Sequence, residues 1–259
     1  MLSGCRVLEI CDETGALAGR ILADLGADVV KVEPPGGDRA ARCGPFEGGV
    51  EDPERSLAWL EANAGKRGIT LDCERPEGRS VLARLLGRSD VLLETLAPGT
   101  LEHWGLGPAA LERQHPRLVR CSITPFGQTG PWAAHRAGAL VLAALAGELT
   151  RGGVDEAPLP GAGFDAGRVA APEAALGVVL ALLARERDGR GGLVDVSLHE
   201  CRRSAQAHAR EARPAWDAAA ARTHGGRRAP RIGEHGREVL GEAGFGDAEI
   251  ARLVAGGIV

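Results

Sequence analysis

The sequence predicts an α/β protein, a Rossmann-like doubly wound parallel sheet. Short apolar runs alternate with segments of helical periodicity along most of the first 200 residues, an alternation typical of βαβ units. Turns rich in glycine and proline separate the runs. Because βαβ crossovers place neighbouring strands in parallel, the pattern favours one parallel sheet with helices on both faces.

Apolar and β-branched residues mark the strands, predicted over residues 6–10, 27–33, 68–72, 90–94, 118–124 and 193–197. Helical spacing marks further segments, at residues 15–25, 76–86, 138–149, 166–185 and 241–259. Residues 36–56 are expected to form a polar loop. The pattern weakens near Ser204, where a stretch rich in Ala, Arg and His favours a linker or a marginal helix.

Composition narrows the classes of function. The chain has 259 residues and a net charge of -4, so a nucleic-acid-binding surface is not expected. The six cysteines form no C-x-x-C pair and the histidines lack ligand spacing, so no metal site is expected. No signal peptide opens the chain and no apolar run is long enough to span a bilayer. We therefore expect a cytoplasmic protein without a membrane segment.

Basic residues cluster beside the expected carboxyl edge of the sheet, where open α/β sheets bind ligands. A rigid loop, residues 34–38, ends the second strand. Arg39 and Arg42 follow this loop, and Lys66 and Arg67 precede the third strand. Guanidinium groups bind phosphate through two parallel hydrogen bonds. A phosphorylated ligand and ordinary solvated surface charge are equally good interpretations of this cluster.

The turn between the first strand and its helix lacks a dinucleotide fingerprint, because Gly15 and Gly19 do not fit the G-x-G-x-x-G spacing. The turn can hold a phosphate at the helix N-terminus, or its glycines can simply allow tight packing. Asp12 and Glu13 precede the helix. They suit its positive end and would repel a phosphate placed there.

Several blocks of sequence occur in the order found in a known family. They are residues 25–38 (LGADVVKVEPPGGD), 63–72, 90–106, 121–131, 182–198 and 233–250. With these blocks the chain resembles the family III CoA-transferases of the CaiB/BaiF type. The resemblance implies an enzyme that transfers CoA between an acyl-CoA thioester and a carboxylic acid. It implies acyl-CoA as a substrate and no permanently bound cofactor.

The resemblance implies a nucleophilic aspartate at Asp165, in the segment 159–167. Family enzymes attack the thioester carbonyl with this carboxylate, form an acyl-aspartyl anhydride and release CoA thiolate. Asp165 precedes a long predicted helix, whose N–H groups would stabilise its anion. From the residues alone, an ordinary N-cap aspartate is the better interpretation, and the resemblance favours the nucleophile.

The resemblance also implies a set of CoA-binding positions in the loops that follow or precede the first four strands. They are Asp12, Glu13, Thr14, Arg39, Arg42, Lys66, Arg67, Thr95, Leu96 and His103. Thr95 stands where Asn is usual, and His103 stands where an Arg helps to hold CoA. Because His is largely unprotonated near neutral pH, weakened or altered CoA binding is expected.

A related branch of the family contains acyl-CoA racemases, which use a His and a neighbouring Asp as base and acid. The corresponding residues 136–141 contain no ionisable pair, and His135 is out of register. Proton exchange needs a titratable group in reach. A racemase or isomerase is therefore an alternative that these residues argue against.

The segment between the sixth strand and the C-terminal tail is short. Family members carry a smaller domain there, with a glycine-rich loop that closes over the active site. Here residues 204–230 join a large domain, residues 1–203, to a tail, residues 231–259, that is expected to pack back on it. Without the small domain an acyl intermediate would be poorly shielded from water. We expect a homodimer, a heteromer with a full-length homologue, or a catalytically inactive CoA-binding subunit.

Overall fold

A parallel sheet forms the centre of the molecule in a computed structural model, which describes residues 1–150, 159–160, 166–209 and 229–259. Its strands are β1 (Arg6–Ile10), β2 (Asp28–Glu33), β3 (Arg67–Thr70), β4 (Val91–Glu94), β5 (Val119–Thr124) and β8 (Leu193–Ser197). They lie in the order β3-β2-β1-β4-β5-β8, and every neighbouring pair is parallel. The short strands β6 (Leu149–Thr150) and β7 (Leu159–Pro160) form a separate antiparallel pair.

The helices of the described residues lie between and after these strands. They are α1 (Ala16–Asp24), α2 (Leu57–Asn63), α3 (Pro76–Leu86), α4 (Thr100–His103), α5 (Pro108–Gln114), α6 (Ala139–Ala146), α7 (Ala166–Asp188), α8 (Leu198–Ala209), α9 (Gly236–Glu242) and α10 (Asp247–Ala255). Short 3₁₀ turns cover Arg39–Arg42, Glu47–Gly49 and Pro53–Arg55.

The predicted fold class is confirmed, and each predicted strand is found with ends displaced by no more than two residues. The helix expected over residues 138–149 was too long. It ends at Ala146 because Gly147 takes the left-handed conformation, with φ 75°. The tail forms two helices instead of one, separated at Gly244, where φ is 84°. The predictions did not include the helices α2, α4 and α5. Helix α8 continues past Ser204, where a linker or a marginal helix was expected.

The sheet separates two hydrophobic cores, because successive side chains of a strand point to opposite faces. Val7 and Val91 face the core that contains α1 and α7. Leu8 and Leu92 face the core that contains α3 and the C-terminal helices. Burial on both faces explains why the strands are nearly continuous apolar runs.

Helix α7 packs against α1, β5 and β8 through a face of small residues. That face includes Ala170, Ala171, Ala174 and Ala175, all buried. Small side chains allow the helix axis to approach the sheet closely. By length and composition alone α7 could also cross a membrane, but this is a weak indication because core helices pass the same test.

Residues 229–259 pack against β3 and α3. The His235 N–H donates to the Gly68 carbonyl at 2.8 Å, and the Gly68 N–H donates to His235 Nδ1 at 3.1 Å. The Arg84 guanidinium lies 3.3 Å from the centre of the Phe245 ring. Leu240 is fully buried in the hydrophobic core that contains α3. These contacts cover one face of the sheet at its β3 side.

A buried ion cluster ties β1 to β2 and to the entry of β3. Glu9 Oε1 accepts from Lys31 Nζ at 3.3 Å and from Lys66 Nζ at 2.9 Å, and all three side chains are buried. Lys31 Nζ also donates to the Cys11 carbonyl at 2.6 Å, and Lys66 Nζ to the Ala16 carbonyl at 2.7 Å. The cluster therefore holds both ends of the turn between β1 and α1.

The two lysines respond differently to burial. Burial lowers the pKa of Lys66 to about 8, against the attraction of Glu9. Burial also acts to lower the pKa of Lys31, but the carboxylates of Glu9 and Asp38 outweigh it and hold that pKa above its usual value. At pH 7 both side chains are therefore charged, and Glu9 is the counter-charge that they share.

Glu9→Gln should destabilise the fold strongly, because it leaves two buried ammonium groups without their shared carboxylate. Removing one partner of a buried ion pair costs about 3–5 kcal/mol, and urea unfolding at pH 7 measures it. Glu112→Gln is the control, since the Glu112–Arg190 pair is 66% and 67% exposed. It should cost less than about 1 kcal/mol. Equal costs for the two variants would contradict the role given to Glu9.

Candidate functional site at the carboxyl edge of the sheet

The switch point of the sheet lies between β1 and β4, because the chain leaves these neighbouring strands in opposite directions. The region beyond the carboxyl ends of these two strands is called the crevice below. After β1 the chain continues to β2 on one side, and after β4 it continues to β5 on the other. Ligands of open α/β sheets bind at this kind of switch point, beyond the carboxyl ends of the strands. The loops at the crevice begin at Cys11 and at Thr95.

Hydrogen bonds join the two loops. The Asp12 N–H donates to Thr95 Oγ1 at 2.9 Å. Asp12 Oδ1 accepts from the Thr14 N–H at 2.9 Å and from Thr14 Oγ1 at 2.5 Å. The structure thus brings together Asp12, Glu13, Thr14, Thr95 and Leu96, five of the positions that the resemblance assigned to CoA. Asp12 and Glu13 are exposed, so their negative charge faces any ligand in the crevice.

Two glycines allow the walls of the crevice to approach closely. A Cβ at Gly15 would lie 2.5 Å from Thr95 Cγ2 and 2.8 Å from Cys11 Sγ. A Cβ at Gly167 would lie 2.6 Å from the Thr14 carbonyl oxygen. Both positions are therefore restricted to glycine by backbone and side-chain contacts. The first turn of α7 rests directly on the loop that follows β1.

Asp165, the predicted nucleophile, lies outside the described residues. Ala166, the next residue, begins α7 and is buried. The positive end of the α7 dipole is therefore at the crevice, because Gly167 packs on Thr14. Arg168 donates to Glu61 Oε1 at 2.8 Å and so fixes this end of α7 to α2.

Arg39 and Arg42 are exposed just after β2, on the same edge of the sheet. Arg42 Nη2 donates to the Gly36 carbonyl at 2.9 Å, within the same loop. Asp38 caps this 3₁₀ turn by accepting from the Ala40 N–H. His103 is exposed at the end of α4, in the segment that follows β4. These side chains are available to a ligand at the rim.

Lys66 and Arg67 are placed differently from the expectation. The Lys66 ammonium is buried and donates to Glu9, Ala16 and Asn63, so all three of its protons are used inside the protein. Arg67 lies at the amino end of β3, away from the crevice. There it forms ion pairs with Asp28 and with Glu238 and Glu242 of α9. These two basic side chains stabilise the fold and do not line the crevice.

Glu94, which sequence reasoning did not select, lies at the end of β4. Its Oε2 accepts from the Leu96 N–H at 2.6 Å, and its Oε1 accepts from the Ser122 hydroxyl. It is only 2% exposed. A charged residue that ends the apolar run Val91–Leu93 was the signal that could have identified it. Glu94 fixes the direction in which the loop leaves β4.

Burial raises the pKa of Glu94 to about 7, although the Ser122 hydroxyl and the Leu96 N–H act in the opposite direction. In the unfolded chain the carboxyl titrates near 4.5. The folded protein therefore binds more protons than the unfolded chain between these two pH values. Stability from this group is full below about pH 4.5 and is lost as the pH rises to about 7.

Glu94→Gln should remove this pH dependence. When the pH rises from 5 to 8, the wild type should lose stability that Glu94→Gln does not lose. The unfolding free energy of the variant should therefore rise relative to that of the wild type by about 2–3 kcal/mol. Urea unfolding at both pH values measures the change. Glu102→Gln, an exposed neighbour, should show no such movement. A pH-independent difference for Glu94→Gln would contradict the burial argument.

No group of three or more His, Cys, Asp or Glu side chains within the described ranges is arranged to hold a metal ion. The loops at the crevice, the dipole of α7 and the exposed arginines Arg39 and Arg42 are the features that a ligand would meet. These features suit an anionic ligand with a reactive centre near the start of α7.

Comparison with known proteins places this geometry in one family. The family model "CoA-transferase family III" matches residues 2–237. The chain is 41% identical over 196 residues to succinyl-CoA:(R)-benzylsuccinate CoA-transferase subunit BbsE of Thauera aromatica, covering 75% of this chain and 48% of that protein. It is 38% identical to succinyl-CoA–D-citramalate CoA-transferase of Chloroflexus aurantiacus, covering 77% and 49%. The chain thus spans about half the length of these relatives.

Solved structures agree with the sequence comparison. A CaiB/BaiF family protein from Brucella suis superposes with a TM-score of 0.71 and 31% identity, covering 83% of this chain and 58% of that one. The structure of Rv3272 from Mycobacterium tuberculosis gives a TM-score of 0.72 and 33% identity, covering 80% and 57%. With the matched family model, these likenesses show that the chain belongs to CoA-transferase family III.

Proposed function

We propose that the protein transfers coenzyme A between an acyl-CoA thioester and a carboxylic acid. The observation that carries this proposal is the contact between the start of α7 and the loop after β1. The residue before α7 is Asp165, and a helix N-terminus stabilises both a carboxylate and a developing oxyanion. The position of this helix end supports the proposal that the Asp165 carboxylate acts at the switch point, where the thioester would be bound.

In the proposed reaction, a carboxylate oxygen of Asp165 attacks the thioester carbonyl carbon and displaces CoA as a thiolate. This step forms a mixed anhydride and conserves the energy of the thioester. The CoA thiolate attacks the aspartyl carbonyl of this anhydride, which forms an aspartyl-CoA thioester and releases the donor acid. The acceptor carboxylate attacks that thioester, forms a second anhydride and displaces the thiolate. The thiolate finally attacks the acyl carbonyl of the second anhydride, which forms the new acyl-CoA and regenerates Asp165. The carbonyl oxygen becomes negative during each attack, and the N–H groups of the first turn of α7 are the donors proposed to stabilise it.

We propose that the phosphates of CoA are held by Arg39 and Arg42. Both side chains are exposed at the carboxyl edge beside the crevice, and guanidinium groups bind phosphate oxygens in pairs. Asp12 and Glu13 line the crevice itself and would repel phosphate. The phosphates are therefore assigned to the rim on the β2 side, with the thioester deeper in the crevice near Thr95.

Succinyl-CoA is the first donor to test, because several relatives are named for it. Some relatives are also named as subunits, α and β among them. Because these relatives are named as subunits, we propose that this protein works with a second chain, either another copy or a full-length homologue. A subunit that binds CoA without turnover is the competing outcome.

Incubation with succinyl-CoA should leave a covalent adduct on Asp165, detected by intact-mass and peptide mass spectrometry. Asp165→Ala should lose the adduct completely, because the nucleophile is gone. Asp188→Ala, at the far end of α7, should keep it. An adduct that persists in Asp165→Ala would disprove the assignment. A folded protein that binds CoA but forms no adduct, alone or with a full-length homologue, would indicate the non-catalytic subunit.

Gly15→Ala should weaken CoA binding by about tenfold or more, because the added Cβ would separate the loops that begin at Cys11 and Thr95. Isothermal titration with CoA measures the loss. Gly241→Ala is the matched control, since a Cβ at Gly241 meets nothing within 4 Å. If a folded Gly15→Ala protein binds CoA with unchanged affinity, then CoA does not bind in the crevice.

A further inference from the structure

An aromatic cluster lies beyond the carboxyl ends of β5 and β8. Its rings belong to Phe126, Trp132 and His199. The Phe126 and Trp132 centroids are 5.5 Å apart at an interplanar angle of 75°, and His199 lies 5.9 Å from each of them. These distances are within the range of favourable aromatic pairs. The mechanism proposed above uses none of the three side chains.

The loop that carries Phe126 and Trp132 is anchored to β8. Both carboxylate oxygens of Asp195 accept from the Gln128 N–H, at 3.0 and 2.9 Å. Gly127 takes φ 84° beside Asp195, a conformation that glycine adopts readily. The His199 N–H donates to the Pro125 carbonyl at 3.0 Å and fixes the other side of the loop. The cluster is therefore held in place before any ligand binds.

Trp132 presents an unused apolar surface, because 48% of it remains exposed. Phe126 is partly buried against the core that includes Ala166 and Ala170 of α7. Within the described part of the chain, His199 Nδ1 is buried with no hydrogen-bond partner. A rigid aromatic surface next to an unsatisfied ring nitrogen is typical of a site that has a ligand or water to complete it.

The position of the cluster suits one end of a bound thioester. Strands β1, β4, β5 and β8 are consecutive neighbours, so β8 lies about 10–14 Å from the crevice at the usual strand spacing. Arg39 and Arg42 lie on the opposite side of the crevice, after β2. A CoA thioester with its phosphates at these arginines would direct its acyl group towards β5 and β8.

We propose that Phe126, Trp132 and His199 form the acyl subsite of this protein and select acyl groups with an apolar or aromatic portion that packs on Trp132. This inference rests on the proposed function and extends it to substrate class. The carboxylates of Asp195 and Glu200 lie next to the cluster in the fold or the sequence. They disfavour the phosphates of the nucleotide and also the free carboxylate of a succinyl group. The acyl group that this surface fits is therefore that of an apolar or aromatic acceptor acid, and not that of a succinyl donor.

The test uses S-alkyl-CoA thioethers, which bind as thioesters do but cannot acylate Asp165. Affinities for CoA, S-ethyl-CoA and S-hexyl-CoA are measured by isothermal titration on the full chain. Wild type is compared with Trp132→Ala, Trp132→Phe and Leu180→Ala, a control leucine of α7 that is 55% exposed. Circular dichroism verifies that each variant is folded.

Wild type should bind S-hexyl-CoA about tenfold more tightly than S-ethyl-CoA, since an aliphatic chain on an aromatic face gains about this much. Trp132→Ala should lose this gain and bind CoA unchanged. Trp132→Phe and Leu180→Ala should keep most of the gain. A hexyl gain that survives in Trp132→Ala would overturn the subsite, and so would an equal loss of CoA affinity, which would assign the cluster to the nucleotide.

Failure of the subsite is distinguishable from failure of the proposed function. If neither the wild type nor any variant binds CoA or its thioethers, the CoA-transferase proposal fails. The subsite, which rests on that proposal, then fails too. If CoA binds normally and only the dependence on Trp132 is missing, the subsite alone is wrong.

Discussion

The buried carboxylate of Glu9 is the interaction on which the site depends. It is shared by Lys31 and Lys66, and each ammonium also holds a backbone carbonyl, at Cys11 and at Ala16. These carbonyls mark the two ends of the turn between β1 and α1. Polar groups buried in this way constrain geometry strongly, because any displacement leaves a charge or a carbonyl unsatisfied. The turn is thereby held in a fixed position at the switch point, with Asp12 and Glu13 exposed.

The other walls of the crevice are fixed against this turn. Thr95 accepts from the Asp12 N–H, and Glu94 directs the loop that carries Thr95. Gly167 brings the start of α7 onto Thr14. Three separate segments thus converge through contacts that each involve a backbone group, with Thr95 and the buried Glu94 as the side chains that complete them. Such a site is rigid before ligand binds, which is the arrangement that lets a helix N-terminus stabilise developing charge without reorganisation.

Much of this molecule could be predicted from local patterns. Each strand is an apolar run closed by a turn, so strand positions follow from hydrophobic periodicity. Helices such as α2 and α4 escaped prediction because they are short and their stability comes from packing. The positions of the basic side chains were harder to predict. Arg39 and Lys66 look alike in sequence, yet Arg39 is exposed at the rim and Lys66 is buried against Glu9.

The sequence by itself determined the α/β class, the strand positions and the family, because these depend on local composition and on motifs in fixed order. It offered Asp165 as a nucleophile only through the family resemblance. Only the tertiary structure decided which charges serve the fold and which face the crevice, since that depends on partners distant in the chain. Arg67 meets Glu238 and Glu242, more than 170 residues away. The aromatic cluster has the same origin, because β5 and β8 become neighbours only when the sheet is complete.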